Sequence, residues 1–153
     1  MCGTLLAPYR DMPTQPLSSG SSVVVRRPRV VIADDHLAVL TWLRQILDPH
    51  CDIVAAAADG ETLLQLVEHL LPDVVVTDVL MPRLNGLEAC GRIRRNHPTV
   101  SVIVISEMHD EDLLLRAFQA GASAMLRKHE VAQELPAALH VFASSHFRPT
   151  KLL

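Results

Sequence analysis

The chain has 153 residues, the size of one ordinary domain, and 49% of them are hydrophobic, which is enough for a buried core. Its 14 Lys and Arg against 17 Asp and Glu give a net charge of -3, which excludes the broad basic surface that direct nucleic-acid binding requires. The sequence has no apolar run of about 18 residues, and Arg10 and Asp11 interrupt its start, so we predict a cytoplasmic protein without a membrane span or signal peptide.

In chain order, a polar leader is followed by alternating strands and helices. Residues 1–28 contain four prolines and a Ser-Gly run, which predict a flexible leader. From Arg29 to His146, short apolar runs alternate with segments of helical periodicity and form one predicted domain, and 147–153 are a short tail. The predicted strands are 30–32, 53–56, 74–76, 100–105 and 124–126, and the predicted helices are 39–47, 63–70, 87–96, 111–120 and 131–144, with Pro136 in the first turn of the last helix.

Five short apolar strands, each followed by a helix, predict a doubly wound α/β fold with a five-stranded parallel sheet and helices on both faces. In such sheets, ligands bind beyond the carboxyl ends of the strands. Functional side chains are therefore expected at the strand ends.

Charged and hydroxyl side chains stand at four of the five predicted strand ends: Asp34 and Asp35, Asp78, Ser106, and Lys128. Taken singly, each has a structural explanation as a helix cap or a solvated surface group. Together, crowded carboxylates need protons or cations to neutralise them, and their oxygens suit Mg²⁺. An Asp carboxylate can also act as a nucleophile towards phosphorus. A tight turn over Met81–Pro82 and Asn85–Gly86 would hold Asp78 at the mouth of the crevice.

From about Arg29 to Ser145, the sequence resembles the receiver domain of bacterial two-component response regulators. The resemblance is carried by the acidic pair, by Asp78 with Met81, Pro82 and Gly86, by Ser106, and by Lys128 after Gly121 and Ala122. The short motifs Ala33-Asp34-Asp35-His36 and Met108-His109-Asp110-Glu111 resemble those of the NarL/FixJ branch of the family.

The resemblance implies a role for each site residue. Asp78 would accept a phosphoryl group from a sensor histidine kinase or a phosphotransfer protein. Asp35, Asp78 and the carbonyl of Leu80 would bind Mg²⁺, with Asp34 contributing through water. Ser106 and Lys128 would sense the phosphoryl group. The protein would catalyse only its own phosphorylation and dephosphorylation. Formation of a homodimer is compatible with the resemblance.

Three positions depart from the family pattern. Glu107 places a carboxylate directly after Ser106, where a small or apolar residue is usual. Met125 replaces the aromatic switch residue three positions before Lys128. Trp42 stands in the first helix, either as cover for the core edge or as a docking contact. Glu107 and Met125 favour an alternative interpretation, a receiver-like module that works by protein contact without phosphorylation.

Other readings are weaker. Three cysteines without a C-x-x-C pair predict neither a disulfide framework nor zinc, and no two of the eight histidines are three or four residues apart. The Asp-x-Asp of haloacid-dehalogenase phosphatases, the glycine of a cobalamin motif and the glycine-rich loops of nucleotide sites are all missing. After His146 only seven residues follow. The chain is therefore either a stand-alone receiver or part of a longer regulator that has been cut near Pro149. In the second case, a missing helix-turn-helix domain would make the DNA contact.

Overall fold

The computed structural model describes residues 26–108 and 110–144. Within them, five parallel strands form one sheet in the order β2-β1-β3-β4-β5, with helices on both faces, which confirms the predicted doubly wound fold. The elements are β1 Arg29–Ala33, α1 Leu37–Leu47, β2 Asp52–Ala57, α2 Gly60–Leu70, β3 Val74–Asp78, α3 Gly86–Asn96, β4 Ser101–Ser106, α4 Glu111–Gln119, β5 Ala124–Arg127, a 3-10 turn Lys128–Glu130, and α5 Val131–Ser144.

The central strands are apolar on both faces because both faces are covered. Alternate residues of β1 belong to different cores: Val31 packs under α2 and α3, whereas Val30 and Ile32 pack under α1 and α5. All three side chains are fully buried. Burial on both sides explains why these strands read as continuous β-branched runs rather than as alternating patterns.

The strand order reverses between β1 and β3, so the connections from their carboxyl ends leave towards opposite faces and open a crevice. The register aligns the strand ends across the sheet. Ala33 lies beside Thr77, Asp78 beside Ile105, and Ser106 beside Arg127. The residues that follow these strands therefore meet at one edge.

One detail of the last helix differs from the prediction. Because α5 begins at Val131, directly after the 3-10 turn, Pro136 is its sixth residue and not part of its first turn. Proline has no N–H to donate to the carbonyl of Ala132, so one helical hydrogen bond is missing there.

Arginines at the amino edge of the sheet bind the ends of neighbouring helices. One Arg27 nitrogen donates to carbonyls just beyond α1, at 2.5 and 2.6 Å, and Arg29 donates to carbonyls at the end of α2, at 2.7 and 3.1 Å. Arg26 pairs with Asp73 at 2.9 Å. A positive charge at a helix carboxyl end also stabilises the helix dipole. Of the predicted leader, residues 1–25 lie outside the described residues, as does the tail.

Across residues 26–108 and 110–144, none of the helices combines the length and the apolar character needed to traverse a bilayer.

Candidate functional site

The acidic pair lies immediately after β1. Asp34 continues the strand ladder, its N–H donating to the Ala57 carbonyl at 3.0 Å, and its side chain is fully buried. One of its carboxylate oxygens accepts a hydrogen bond from the backbone N–H of His36 at 2.9 Å. Asp35 is more open, with 34% of its side chain exposed. The His36 imidazole Nδ1 lies 3.2 Å from Asp34 and 3.1 Å from Asp35, so the three side chains form one cluster.

Lys128 connects the acidic pair to Asp78. Its ammonium donates to Asp34 Oδ2 at 3.0 Å and lies 3.4 Å from Asp78 Oδ1. Both carboxylates are buried and the lysine side chain is only 14% exposed. The structure thus brings Asp34, Asp78 and Lys128 together from three different strand ends, as the fold rule predicts.

The charges of this group are unbalanced. Burial raises the pKa of Asp78, the charge of Asp34 raises it further, and Lys128 opposes both effects only in part. Burial by itself would lower the pKa of Lys128, but its hydrogen bond to Asp34 and the charge of Asp78 outweigh burial and raise it. Lys128 contacts the carboxylates of Asp34 and Asp78, and Asp35 adds a third carboxylate next to Asp34 in the chain. The excess negative charge and the oxygen donors fit a hard divalent cation such as Mg²⁺.

Asp78 ends β3, and a tight loop returns the chain to α3. The N–H of Gly86 donates to the carbonyl of Val79 at 2.7 Å, which closes the loop. A Cβ on Gly86 would lie 1.9 Å from the Asp78 carbonyl oxygen, so only glycine permits this approach. Asn85 caps α3 by accepting from the N–H of Glu88 at 2.9 Å. The predicted tight turn is therefore present.

Ser106 ends β4 beside β3 and is 5% exposed. Its oxygen accepts from the N–H of Met108 at 3.0 Å, which leaves the hydroxyl hydrogen for another partner. A cavity of about 230 Å³ lies next to Ser106. It is bordered by the loop after β3, the loop after β4 and helix α4. Exposed Glu107 follows Ser106 directly, and Leu80, on the β3–α3 loop, is 70% exposed.

The other two departures lie in or at the cores. Met125 is buried on β5 beside Val104 and packs in the α2–α3 core. Trp42 is half-buried at the margin of the α1–α5 core, as the core-edge interpretation predicts.

Sequence reasoning missed Thr77. It is fully buried, and its hydroxyl donates to the Asp78 carbonyl at 3.0 Å and contacts Met81 Sδ at 3.8 Å. Thr77 therefore joins the end of β3 to the following loop. A polar residue that closes an apolar strand directly before the acid was the available signal, but threonine is also an ordinary strand residue.

The fold and the cluster of acids and lysine define a doubly wound α/β domain with a charged site at the carboxyl ends of its strands, and comparison with known proteins gives its family. Residues 30–140 match the response regulator receiver domain, and the chain belongs to that family. This confirms the resemblance found in the sequence. Receiver domains take part in two-component signalling by phosphorylation, and the family generally uses Mg²⁺.

Individual relatives and solved structures agree with this family assignment. The chain is 37% identical over 117 residues to the transcriptional regulatory protein DegU of Brevibacillus brevis, which covers 75% of this chain and 50% of DegU. It matches the receiver domain of the response regulator NarL of Mycobacterium tuberculosis with a TM-score of 0.74 and 28% identity, covering 78% of this chain and 98% of that one. It also matches a chain of the CheX–CheY–BeF3–Mg²⁺ complex of Borrelia burgdorferi, with a TM-score of 0.66, 26% identity and coverage of 78% and 89%. The chain spans about half the length of the curated relatives it matches.

Proposed function

We propose that this receiver domain is phosphorylated on Asp78 and that Asp35, Asp78 and the Leu80 carbonyl hold the Mg²⁺ that the reaction needs, with Asp34 contributing through water. The observation that carries the proposal is the placement of the buried Asp78 carboxylate 3.4 Å from the Lys128 ammonium, at the edge where the acidic pair lies. The relative solved with BeF3 and Mg²⁺ supports it.

In the proposed reaction, one Asp78 carboxylate oxygen attacks the phosphorus of a phosphohistidine. A P–O bond forms to Asp78 as the P–N bond breaks, and the leaving imidazole takes a proton from solvent. Mg²⁺, when bound, supplies positive charge to the phosphoryl oxygens. Lys128 is close enough to Asp78 to contact one phosphoryl oxygen, and the Ser106 hydroxyl, which accepts from Met108, can donate its hydrogen to another.

The test is the mass of the intact protein after incubation with acetyl phosphate and MgCl₂. The wild type should gain one phosphoryl group, whereas Asp78→Asn keeps the shape of the side chain, loses the nucleophilic oxygen and should gain none. Asp48→Asn is the control, because Asp48 is exposed directly after α1, at the opposite edge of the sheet. Equal phosphorylation of wild type and Asp78→Asn would exclude Asp78 as the acceptor.

The second candidate function is an interaction module that does not depend on phosphorylation. Met125 favours it, since this buried, flexible side chain already packs in the core and offers no aromatic ring to rotate. Phosphorylated protein whose spectra and oligomeric state match those of the unmodified protein would support this reading.

The partners are proposals as well. A sensor histidine kinase or phosphotransfer protein in the cytoplasm would supply the phosphoryl group, and a homodimer is compatible with the family. DegU is a transcriptional regulator twice as long as the matched segment. By analogy, any DNA contact of this protein would come from a further domain and not from the segment described here.

A further inference from the structure

The loop between β3 and α3 contains a strained backbone position. Arg83 has a φ of 69°, in the left-handed region that residues other than glycine seldom adopt. The N–H of Leu84 donates to the Pro82 carbonyl at 2.8 Å, so the chain makes a γ-turn of the rare, positive-φ type around Arg83. Such a turn persists only where neighbouring structure fixes it.

The start of α2 supplies that neighbouring structure. A Cβ on Gly60 would lie 2.1 Å from the Leu84 carbonyl oxygen and 2.6 Å from the Leu84 Cβ, so the helix backbone and the turn are in direct contact. The Asp59 carboxylate lies 3.9 Å from the Arg83 guanidinium. Asp59 is itself fixed, because it accepts hydrogen bonds from the N–H and the hydroxyl of Thr62 at 2.7 and 3.0 Å.

The turn is also close in the chain to the reacting group. Only residues 79–85 separate the end of β3 at Asp78 from the start of α3 at Gly86. The far end of the loop is fixed by the bond between Gly86 and Val79 and by the approach of Gly86 to the Asp78 carbonyl. A shift at Leu84 must therefore be absorbed by the few residues that include Leu80.

From these contacts we infer that Asp59 and Gly60 are positioning residues for the phosphorylation site. They hold the β3–α3 loop so that Asp78 and the Leu80 backbone keep the spacing that metal binding requires. The inference rests on the proposed function. It adds a second element, the start of α2, to the strand ends that carry the reactive groups.

Gly60→Ala tests the contact, and Gly91→Ala is the matched control. A Cβ on Gly60 meets backbone atoms, whereas a Cβ on Gly91, within α3, has its nearest neighbour at 4.0 Å. The readout is the rise of the thermal midpoint with MgCl₂, which gives the Mg²⁺ affinity of the folded protein separately from its basal stability. Gly60→Ala should weaken Mg²⁺ binding about ten-fold, the size of effect seen for groups that orient metal ligands. Gly91→Ala should bind like the wild type.

A second pair covers the case in which Gly60→Ala does not fold. Leu84→Ala loosens the turn against α2, and Leu139→Ala removes an equal volume from the α1–α5 core, away from the loop. Both should lower the midpoint, but only Leu84→Ala should weaken Mg²⁺ binding. Wild-type Mg²⁺ affinity in Leu84→Ala, or in folded Gly60→Ala, would overturn the inference and leave the proposed function intact. A wild type whose midpoint does not respond to Mg²⁺ would instead count against the proposed function and, with it, the positioning role.

Discussion

Replacing Lys128 by methionine removes the charge from the site and keeps most of the aliphatic stem. The ammonium lies 3.0 Å from Asp34 and 3.4 Å from Asp78, so the variant leaves two buried carboxylates close together without their counter-charge. Breaking a buried pair by removing one partner costs about 3–5 kcal/mol. Because the Lys128 side chain is 14% exposed and water can enter in its place, we expect a loss at the lower end, about 3 kcal/mol of unfolding free energy at neutral pH without divalent cations.

The pH dependence of this loss follows from the pKa shifts. The pKa of Lys128 is raised in the folded protein, so its stabilising charge is complete below the ordinary value of 10.5 and is lost only at higher pH. The pKa of Asp78 is also raised, chiefly by burial, and Lys128 holds it down. Without Lys128 that pKa rises further, so acid protonates the carboxyl earlier. The destabilisation should therefore shrink as the pH falls from neutral.

Urea unfolding of Lys128→Met and wild type, at neutral and at mildly acidic pH, measures both effects. Addition of MgCl₂ should restore part of the lost stability, because the cation neutralises the same carboxylates. Arg92→Met, which removes an exposed charge from the middle of α3, should stay within about 0.5 kcal/mol of the wild type. A Lys128→Met variant as stable as the wild type at neutral pH, or a loss of stability that grows in acid, would refute the role of Lys128 as the counter-charge of the two carboxylates.

Three further predictions use the same protein. Glu107→Gln should speed phosphorylation by acetyl phosphate several-fold, because removing about 1 kcal/mol of repulsion between this exposed carboxylate and the phosphoryl group has an effect of that size. An unchanged rate with a lower thermal midpoint would instead mean that Glu107 stabilises α4 through the helix dipole. Asp78→Asn should be more stable than the wild type at neutral pH without Mg²⁺, because the raised pKa of Asp78 means that folding disfavours its ionised form. The difference in urea midpoint should vanish at low pH, where Asp78 of the wild type is protonated. Arg27→Ala should lose about 1 kcal/mol of unfolding free energy, because Arg27 binds carbonyls just beyond α1 although it belongs to the predicted leader. An unchanged urea midpoint would favour a domain that starts at Arg29.

The order of strands and helices was predictable because burial on both faces leaves a local signature, a short β-branched run before each amphipathic segment. The approach of Asp34, Asp78 and Lys128 was predictable from a rule about strand ends, without any knowledge of distances. The γ-turn at Arg83 and its contact with Gly60 were not, because they depend on how two loops from separate parts of the chain meet. The same holds for the arginines at the amino edge, whose partners are backbone carbonyls and carry no residue-type signal.

Those arginines have a consequence for where the domain can move. Arg27 and Arg29 bind the carboxyl ends of α1 and α2, and Arg94 binds the carbonyls of Pro98 and Val100 after α3. These bonds hold the ends of α1 and α2 and the loop after α3 at the amino edge, so we expect the backbone amides there to exchange slowly with solvent. At the opposite edge, the start of α2 holds the loop after β3, whereas the loop after β4 borders a cavity that gives it room to rearrange. If Asp78 is the phosphorylated residue, as proposed, the change there would be passed on through the loop after β4, while the amino edge of the sheet keeps its position.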